Sequence, residues 1–536
     1  MIGGGVSAMS GKQAAVANSD VDERLAALIT NSEAVRAITA AVEGTIGPKG
    51  LDTMLVDRVG EVVITNDGVT ILDRMDINHP AAKMLINTAK AQQEEVGDGT
   101  TTATIMAGGL VAEGLNQVMR GVPVARVIEG VKYGIQKAIE HVKDHGRPIT
   151  RLDDPILSNI ALIAGRDHRD IAQLVVEAAQ LIGSDKLKES NFKLADIITA
   201  EEGASNEVFL GVVVEKERMN REMPALINNA KILLIDDALE PEEISDEALR
   251  TEAGFNRYIE LQNEFKDNIK KIIDLGVNAV LVDRGVHSVA EEMLTDAEVL
   301  VVQRVPACDL RRAAEHSGAR MIKRTGLKKN TVDLESYTGF ADTIYEDEKL
   351  EHIRILGGKS KPMATILVGA ATQEVVGERM RIAKDAAASV QAAVKGGYVP
   401  GGGTIELALA RDVQKARDDL KGMTAYGLDC VITALKRPLA QIVQNAGFNP
   451  LEKVEEAFLA QGMQNSDSIG IDCDTGAVTD MLALGVVDPV PVKLHAIKAA
   501  GEVATAILRI DTIIRKKEDN TGMKQGNKAE GNTPDF

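Results

Sequence analysis

The 536-residue sequence contains no tryptophan, only 3% aromatic residues and just three cysteines. Without large aromatic side chains, the core has to be built from Ala, Val, Ile, Leu and Met, which favours helices packed through small side chains. Cys308, Cys430 and Cys473 form no CxxC pair, and an odd number of cysteines does not make a disulfide framework. The cysteine pattern therefore predicts reduced thiols in a cytoplasmic protein.

Positive charge is scarce, because 61 Lys and Arg residues face 80 Asp and Glu residues, for a net charge of -19. An acidic surface of this size argues against nucleic acid and against anionic membranes as partners. The sequence has no uninterrupted apolar run of roughly 18 residues, so a membrane span is not expected. The two ends, Met1–Asp20 and Lys516–Phe536, are predicted to be a flexible arm and a disordered tail.

Helical periodicity dominates both ends of the chain, whereas short β-rich runs alternate with helices between about 215 and 370. The β-rich runs are Lys231–Asp236, Ala279–Asp283, Val299–Val305, Arg320–Lys323 and Ala364–Val368. The chain is long enough for roughly two to four domains. These patterns predict a multidomain α+β fold, in which two helical flanks pack together around an inserted α/β domain.

Local signals add detail to both helical flanks. A hairpin is predicted from Thr53 to Thr65, with its turn at Arg58–Gly60, and a helix is predicted over Pro80–Val96. Near the other end, Arg437–Pro438 predicts either a helix start or a kink.

The strongest chemical signal is the run Gly97–Thr102, with the sequence GDGTTT, which lies between two predicted helices. Free backbone N–H groups and the positive end of the helix dipole make such a place an anion site. The glycines would let a phosphate approach the backbone, the threonine hydroxyls would donate to it, and Asp98 could hold Mg²⁺. A glycine-rich helix connection with a Thr cap explains the spacing equally well, so both interpretations stay open.

Three more glycine-containing loops, one of which includes Asp67, are candidates for the same site. Two further carboxylates, Asp385 and Asp488, are also candidates. Asp67 would place a carboxylate beside the phosphates, but Asn-Asp-Gly is also an ordinary turn. Asp385 could instead form a solvated pair with Arg381 one helical turn away, and Asp488 could mark a helix boundary. Taken singly, Thr45–Gly50 also fits a helix stop, Thr65–Gly68 a turn at the end of the hairpin, and Val399–Gly403 a flexible hinge.

Familiar phosphate-binding and zinc motifs are missing from the sequence. Gly358–Ser360 resembles half of a P-loop, but the leading glycine that the motif requires is Ile353 here. No G-x-G-x-x-G follows a predicted strand, and no Cys/His cluster has zinc spacing. Any ATP site in this chain is therefore of a non-Walker type.

Taken together, in order and spacing, the loops resemble the chaperonin family from about residue 22 to 515. The matching motifs are TIGPKGLDTMLVD at 45–57, VITNDGVTIL at 63–72, HPAAKML at 79–85, GDGTTTATIMAGGL at 97–110, VPGGG at 399–403, NAGFNP at 445–450, and GVVDP with VKLHAIKAAGEVATAILRID at 485–511. HPAAKML and the last motif are more similar to group II, the thermosomes and their eukaryotic relatives. Thermosomes usually have Glu at Asp488 and Lys at Arg166, and these mixed features suggest a divergent lineage such as bacterial group III.

The resemblance implies a mainly helical, discontinuous equatorial domain over 1–152 and 405–536, which binds ATP. It implies a small intermediate hinge domain over 153–213 and 371–404, and an apical α/β domain over 214–370 that binds non-native proteins. A helical protrusion at about 238–268 would serve as a built-in lid, so that no separate cap protein is expected. Subunits would assemble into two stacked rings of about eight.

The resemblance also implies roles in binding ATP and Mg²⁺. Asp98 would bind the metal, and Asp67 and Asp385 would orient or activate the attacking water. The nucleotide would be contacted by Ile46, Gly47, Pro48, Asn66, Gly99, Thr100, Thr101, Thr102, Arg166, Gly402 and Asp488. Arg166 would sense the γ-phosphate, whereas Gly402 and Asp488 would contact the nucleoside.

The expected function is that of an ATP-dependent molecular chaperone that encloses non-native proteins and couples ATP hydrolysis to closure of its lid. Asp385 lies in the implied intermediate domain and Asp67 and Asp98 in the equatorial domain, so hinge closure would complete the site. Two alternatives are a small-molecule kinase, for which no acceptor site is evident, and a non-enzymatic scaffold, against which the three carboxylates argue.

Overall fold

The computed structural model describes residues 10–56, 58, 60, 62–360 and 363–513, with the side chains of the first helix described from Leu25 onward. The predicted tail Lys516–Phe536 and residues 1–9 of the predicted arm lie outside the described residues, as do Asp57 and Glu61 of the predicted hairpin. The remainder of the predicted flexible arm, from Ser10, is helical.

Helices and strands follow one another in four groups along the chain. The first group is α1 Ser10–Val42, β1 Thr53–Val56, β2 Val62–Thr65, α2 Gly68–Arg74, α3 Pro80–Val96, α4 Thr100–Met119 and α5 Val124–His145. The second group is α6 Pro155–Ala164, α7 Arg169–Ile182, α8 Ser184–Lys188 and β3 Ile198–Glu202.

The third group begins the α/β region and is β4 Glu207–Val214, β5 Leu226–Ile235, α9 Asp246–Leu249, α10 Glu252–Asp274, β6 Ala279–Val282, α11 Ser288–Asp296, β7 Leu300–Val302, α12 Ala307–Ser317, α13 Thr331–Glu335, β8 Gly339–Asp347, β9 His352–Gly358 and β10 Ala364–Ala370. The fourth group is α14 Gln373–Gly396, β11 Tyr398–Pro400, α15 Thr404–Asp418, α16 Ala425–Asn445, α17 Pro450–Gln464, β12 Ile469–Ile471, β13 Val478–Asp480, β14 Val487–Pro489 and α18 Val490–Leu508. Short 3₁₀ turns at Glu43–Thr45, Leu194–Ile197 and Arg324–Lys328 complete the described elements.

The largest core joins the two ends of the chain, because α1 and α3–α5 pack against α15, α16 and α18. Small residues bring the helices close: a Cβ added to Gly130 of α5 would lie 2.1 Å from the Thr424 carbonyl oxygen, just before α16. This agrees with the prediction of helices packed through small side chains. Pro438 lies inside α16, so the alternative of a helix start at Arg437–Pro438 is wrong.

One helical stretch, Leu25–Thr45, is long and apolar enough to cross a membrane by length and composition. A core helix of a folded domain passes the same test, and this one buries Leu28, Val35, Ile38 and Val42 among the other helices of the core. The burial of these four side chains explains the apolar composition of the helix.

An eight-stranded mixed sheet forms the middle of the chain, in the order β3-β10-β4-β9-β8-β5-β6-β7. Ile232 pairs with Ala279 across the parallel strands β5 and β6, whereas β8 pairs antiparallel with β5 and with β9. Apolar side chains from both faces of the sheet form two cores, one of them beneath α10 and α11. A further core combines α6, α7 and α14 with β3 and β10.

The predicted β-rich runs mostly coincide with strands, and Arg320–Lys323 is the exception. Its Ile322 makes only an isolated bridge to Ile235 at the end of β5. The flanking Met321 and Lys323 are exposed, so a single apolar residue faces the core and the segment does not extend the sheet. The sequence patterns also missed β4, β8 and β9, which complete the centre of the sheet.

The segment that resembles a lid forms α9 and most of α10. Leu261 and Phe265 of α10 are buried in their own domain, with exposed fractions of 5% and 4%. Phe255, Tyr258 and Ile259, in the first two turns, remain exposed at 54%, 37% and 44%. The helix therefore packs onto its domain at one end and presents apolar side chains to solvent at the other.

Candidate functional site

A three-residue turn, Gly97 to Gly99, separates α3 from α4. Gly97 has φ 74° and donates its N–H to the Gln93 carbonyl at 2.9 Å, which ends α3. Gly99 has φ 78° and precedes the first residue of α4. A Cβ on Gly97 would lie 2.2 Å from the Ala388 Cβ, so glycine is needed here both for the positive φ and for the close approach of α14.

The N-termini of α2 and α4 meet at this turn. A Cβ on Gly68, the first residue of α2, would lie 2.7 Å from Thr101 Oγ1 and 3.3 Å from Thr100 Oγ1. Asp67 caps α2 by accepting from the Thr70 N–H at 2.9 Å. A helix N-terminus attracts anions through its free N–H groups, and the start of α4 lies here beside the start of α2, which Asp67 caps. The geometry favours the anion-site interpretation of Gly97–Thr102, in which Thr102 is also partly exposed.

Asp98 is held between the turn and α14. Its Oδ1 accepts from the Gly99 N–H at 2.5 Å, and its Oδ2 accepts from Ser389 Oγ at 3.1 Å. Burial, and next the negative charge of Asp488, raise the pKa of Asp98 above its ordinary value. A cation bound here would offset both effects.

Asp385 of α14 faces the same place, and its side chain is only 15% exposed. Gln93 Nε2 donates to its Oδ1 at 3.3 Å, and Arg166 Nη2 lies 3.6 Å from its Oδ2. Burial, followed by the charges of Asp98 and Asp67, raises the pKa of Asp385 well above its ordinary value. The structure thus brings together the three carboxylates that the sequence singled out.

The alternative interpretation of Asp385, a solvated pair with Arg381, is wrong. Arg381 instead donates twice to Oε2 of Glu378, at 3.0 and 2.6 Å. Oε1 of Glu378 accepts from Arg166 Nη1 at 2.6 Å. Arg166 is therefore the cation that acts on Asp385, and it reaches Asp385 and Glu378 at the same time.

These donors fit a magnesium ion carried by a polyphosphate. Hard carboxylate oxygens suit Mg²⁺, which keeps several waters and is usually held by one or two carboxylates together with phosphate oxygens. Buried carboxylates that repel one another, as Asp98 and Asp385 do, gain from a divalent cation. Among the described residues, no cluster of three or more His, Cys, Asp or Glu side chains forms a metal site on its own.

Asp488 lies on the other side of Asp98, in β14, where it is paired with Val399 of β11. Lys493 Nζ lies 2.8 Å from its Oδ2 and 2.7 Å from Oε1 of Glu406. Burial alone would lower the pKa of Lys493, but the two carboxylates raise it above its ordinary value. Gly402, with φ 64°, follows β11 at the turn into α15.

The loop containing Ile46, Gly47 and Pro48 is fixed by the C-terminal turn of α16. Asn445 Nδ2 donates to the carbonyls of Glu43 and Ile46, both at 2.9 Å. Gly47 has φ 88°, and a Cβ there would lie 3.0 Å from Ile442 Cγ2. Asn66 follows β2, and its Oδ1 is buried without a hydrogen-bond partner among the described residues.

Several polar side chains of the site were not predicted from the sequence. Gln92 is fully buried, donates to the Asp98 and Val492 carbonyls at 2.8 and 3.2 Å, and pairs through Oε1 with His495 at 2.6 Å. Gln93 and Ser389 hold Asp385 and Asp98. A Gln-Gln pair next to GDGTTT was a visible signal, but its partners lie too far away in the sequence to be deduced.

Comparison with known proteins agrees with this fold. Residues 38–518 match the model of the TCP-1/cpn60 chaperonin family. The thermosome subunit beta of Archaeoglobus fulgidus is 36% identical over 522 residues, covering 94% of each chain. The thermosome subunit alpha of Thermoplasma acidophilum is 34% identical over 523 residues, with the same coverage. The crystal structure of a group III chaperonin in the open state has a TM-score of 0.85 and 44% identity, over 92% of this chain and all of that one.

The fold, together with these matches, defines a chaperonin subunit. The chain belongs to the TCP-1/cpn60 chaperonin family, as its motifs predicted. Its fold is the multidomain α+β chaperonin fold, and its likeness extends to both thermosomes and a group III chaperonin.

Proposed function

We propose that this protein is an ATP-hydrolysing chaperonin that binds Mg·ATP at the junction of α2, α4 and α14 and encloses non-native proteins in the cytoplasm. The observation that carries the proposal is that Asp385 of α14 meets Asp67 and Asp98, from the N-terminal part of the chain, beside the first residues of α2 and α4. Burial and neighbouring carboxylates raise the pKa of both Asp98 and Asp385, and groups perturbed in this way are typical of functional sites.

In this site each residue has a distinct task. Mg·ATP, when bound, supplies the γ-phosphoryl group and a metal that neutralises its charge. The N–H groups and hydroxyls of Gly99 to Thr102 would hold phosphate oxygens, and Asp98 would hold the metal. Asp385 accepts a proton from, or orients, the attacking water, and Asp67 assists it. Arg166 would contact the terminal phosphate, and its position 3.6 Å from Oδ2 of Asp385 supports this role.

The rest of the nucleotide would lie between the 46–48 loop and the turn after β11. Asn66, through its unpartnered buried oxygen, and Gly402 and Asp488 complete the proposed contacts. Asp488 lies 2.8 Å from Lys493, which it shares with Glu406, so its charge is partly offset beside the proposed site.

The proposed division into domains has support from the separate cores. The core that combines both ends of the chain corresponds to the equatorial domain, over 1–152 and 405–536. The core around α6, α7 and α14 supports an intermediate domain, proposed over 153–213 and 371–404, and it also includes Ile366 of β10. The sheet cores support an apical domain, proposed over 214–370, and one of them also includes Val212. Since Asp385 belongs to the intermediate part, a hinge motion would assemble or disassemble the site.

Assembly and lid closure complete the proposal. Subunits would form two stacked rings of about eight. The exposed Phe255, Tyr258 and Ile259 of α10 would meet the same helix of adjacent subunits over the cavity, so that no separate cap is needed. Exposed aromatic and aliphatic side chains on a charged helix suit such a contact.

The site assignment is tested by Asp385→Ala and Asp98→Ala. Asp385→Ala should lower ATP turnover by about 10² or more, while nucleotide affinity stays close to that of the parent protein. Asp98→Ala should weaken Mg·ATP binding itself. The matched control is Lys384→Ala, since Lys384 is the exposed neighbour of Asp385 on α14. Turnover at the parental rate in Asp385→Ala would show that the carboxylate does not act on water.

The lid assignment is tested by replacing Phe255, Tyr258 and Ile259 together with serine. Rings and ATP hydrolysis should persist, whereas ATP-dependent protection of an enclosed client from protease should be lost. Lys270→Ser, at an exposed position on the same helix, is the control and should keep that protection. Full protection in the triple variant, or a strict need for an added cap protein in the parent, would contradict the proposal.

A further inference from the structure

The turn after α6 presents Arg166 to the site from a fixed backbone. Arg166 and Asp167 both have a left-handed conformation, with φ 51° and 62°, which is uncommon for residues other than glycine. The turn is held by hydrogen bonds from the Arg166 and Asp167 N–H groups to the carbonyls of Ile163 and Leu162, at 3.1 and 2.9 Å. With its Cα fixed in this way, Arg166 can change partners only by moving its side chain.

The guanidinium of Arg166 is shared between two carboxylates on one face of α14. Nη1 donates to Oε1 of Glu378 at 2.6 Å, while Nη2 lies 3.6 Å from Oδ2 of Asp385. Glu378 and Asp385 are seven residues apart, about two helical turns and ~10 Å along the axis. The shorter contact, and therefore the stronger one, is with Glu378, which is farther along α14 from the proposed metal ligand Asp98.

Glu378 is itself held in place. Its second oxygen accepts two hydrogen bonds from Arg381, and its side chain is 28% exposed. Because Arg381 fixes Glu378 beside Arg166, Glu378 competes with any other anion for the guanidinium of Arg166. The terminal phosphate of a nucleotide at the α4 N-terminus would be such an anion.

We propose that Glu378 is a positioning residue that holds Arg166 when no terminal phosphate is present and yields it when one arrives. This inference rests on the proposed ATP site and deepens it. The terminal phosphate has to displace Glu378 from Arg166, which lowers the affinity for ATP. ADP lacks that phosphate and leaves the ion pair intact. Glu378 therefore sets how strongly the protein discriminates between the two nucleotides.

The test measures the affinities of the full chain for Mg·ADP and for a non-hydrolysable Mg·ATP analogue by calorimetry. Glu378→Gln keeps the size of the side chain but removes its charge. It should tighten binding of the ATP analogue by about fivefold, the change expected when a partly buried ion pair no longer competes, and leave ADP affinity unchanged. Glu378→Asp restores the charge and should return the affinity ratio toward that of the parent.

The matched control is Asp170→Asn, which removes the ion pair between Asp170 of α7 and Arg379 of α14 without touching Arg166. It should leave the affinity ratio unchanged. If Glu378→Gln shifts both nucleotides equally or neither, Glu378 only holds α14 in place and the inference is wrong. Failure of the proposed function looks different: the parent would not hydrolyse ATP, and Arg166→Gln would leave discrimination unaltered.

Discussion

Replacing Lys493 with Met should destabilise the helical core by about 3–5 kcal/mol, the usual effect of removing one partner from a buried ion pair. Lys493 is 7% exposed and lies 2.7 Å from Glu406, which is fully buried. Oε2 of Glu406 already lacks a hydrogen-bond partner among the described residues, so the variant would leave both of its oxygens without one. Asp488, 19% exposed, would lose its counter-charge as well.

The ion-paired group of Lys493, Glu406 and Asp488 also predicts that most of the lost stability can be recovered by a second substitution. In Lys493→Met with Glu406→Leu, apolar side chains replace the pair, which is often neutral for stability. Most of the free energy of unfolding should therefore return, while Asp488 keeps its contact with water.

The measurement is urea denaturation followed by far-UV circular dichroism at one protein concentration, since the chain has no Trp to report by fluorescence. The raised pKa of Lys493 means that its contribution is complete below the ordinary lysine pKa and is lost only as the pH rises through the higher folded value. Neutral pH therefore shows the full effect. A loss under about 1 kcal/mol, or a double variant no more stable than the single one, would refute the reasoning.

Two further predictions concern the fold around the site. Gly97→Ala should lower both stability and ATP turnover, because the new Cβ would lie 2.2 Å from the Cβ of Ala388 in α14. Gly377→Ala, at a position of α14 with open space around it, should instead stabilise the protein by about 0.5–1 kcal/mol. Thermal denaturation of both variants compares them directly. Hydrogen bonds to two carboxylates raise the pKa of His145 to about 9, so its stabilisation should be complete below about pH 6.5 and fall as the pH rises through 9, and His145→Gln should remove that part of the pH profile.

The glycine loops were the most predictable part of the site. Their backbones need positive φ or close approach, and such needs leave a local mark, as at Gly97, Gly99 and Gly47. The meeting of these loops was predictable only from several motifs in register, since any one of them also fits an ordinary turn. Lys493 and Glu406 left no such mark: each is one charged residue on a helix, and only the packing of distant segments buries the pair.

The sheet shows a similar limit. Runs of buried Val, Ile and Leu predicted β5, β6, β7 and β10, because each has apolar side chains on both faces. In β8, Ala341 and Ile344 are the buried residues and lie three positions apart, which breaks the alternation typical of a strand, and β8 is fixed mainly by its neighbours β5 and β9. The segment around Ile322 shows the opposite error. Its sequence predicted a strand, but Ile322 is buried between the exposed Met321 and Lys323 and makes an isolated bridge.

The core built from both ends of the chain constrains how the protein is made. Gln92 bonds to the Val492 carbonyl across 400 residues. At a synthesis rate of roughly 5–20 residues per second, α3 waits about 20–80 s for its partner helix α18 to be translated. The α/β region lies wholly inside that interval, so it can fold on the ribosome first. The N-terminal helices must meanwhile leave exposed the apolar surface that α15, α16 and α18 later cover, so nascent subunits are themselves open to the aggregation that a chaperonin prevents.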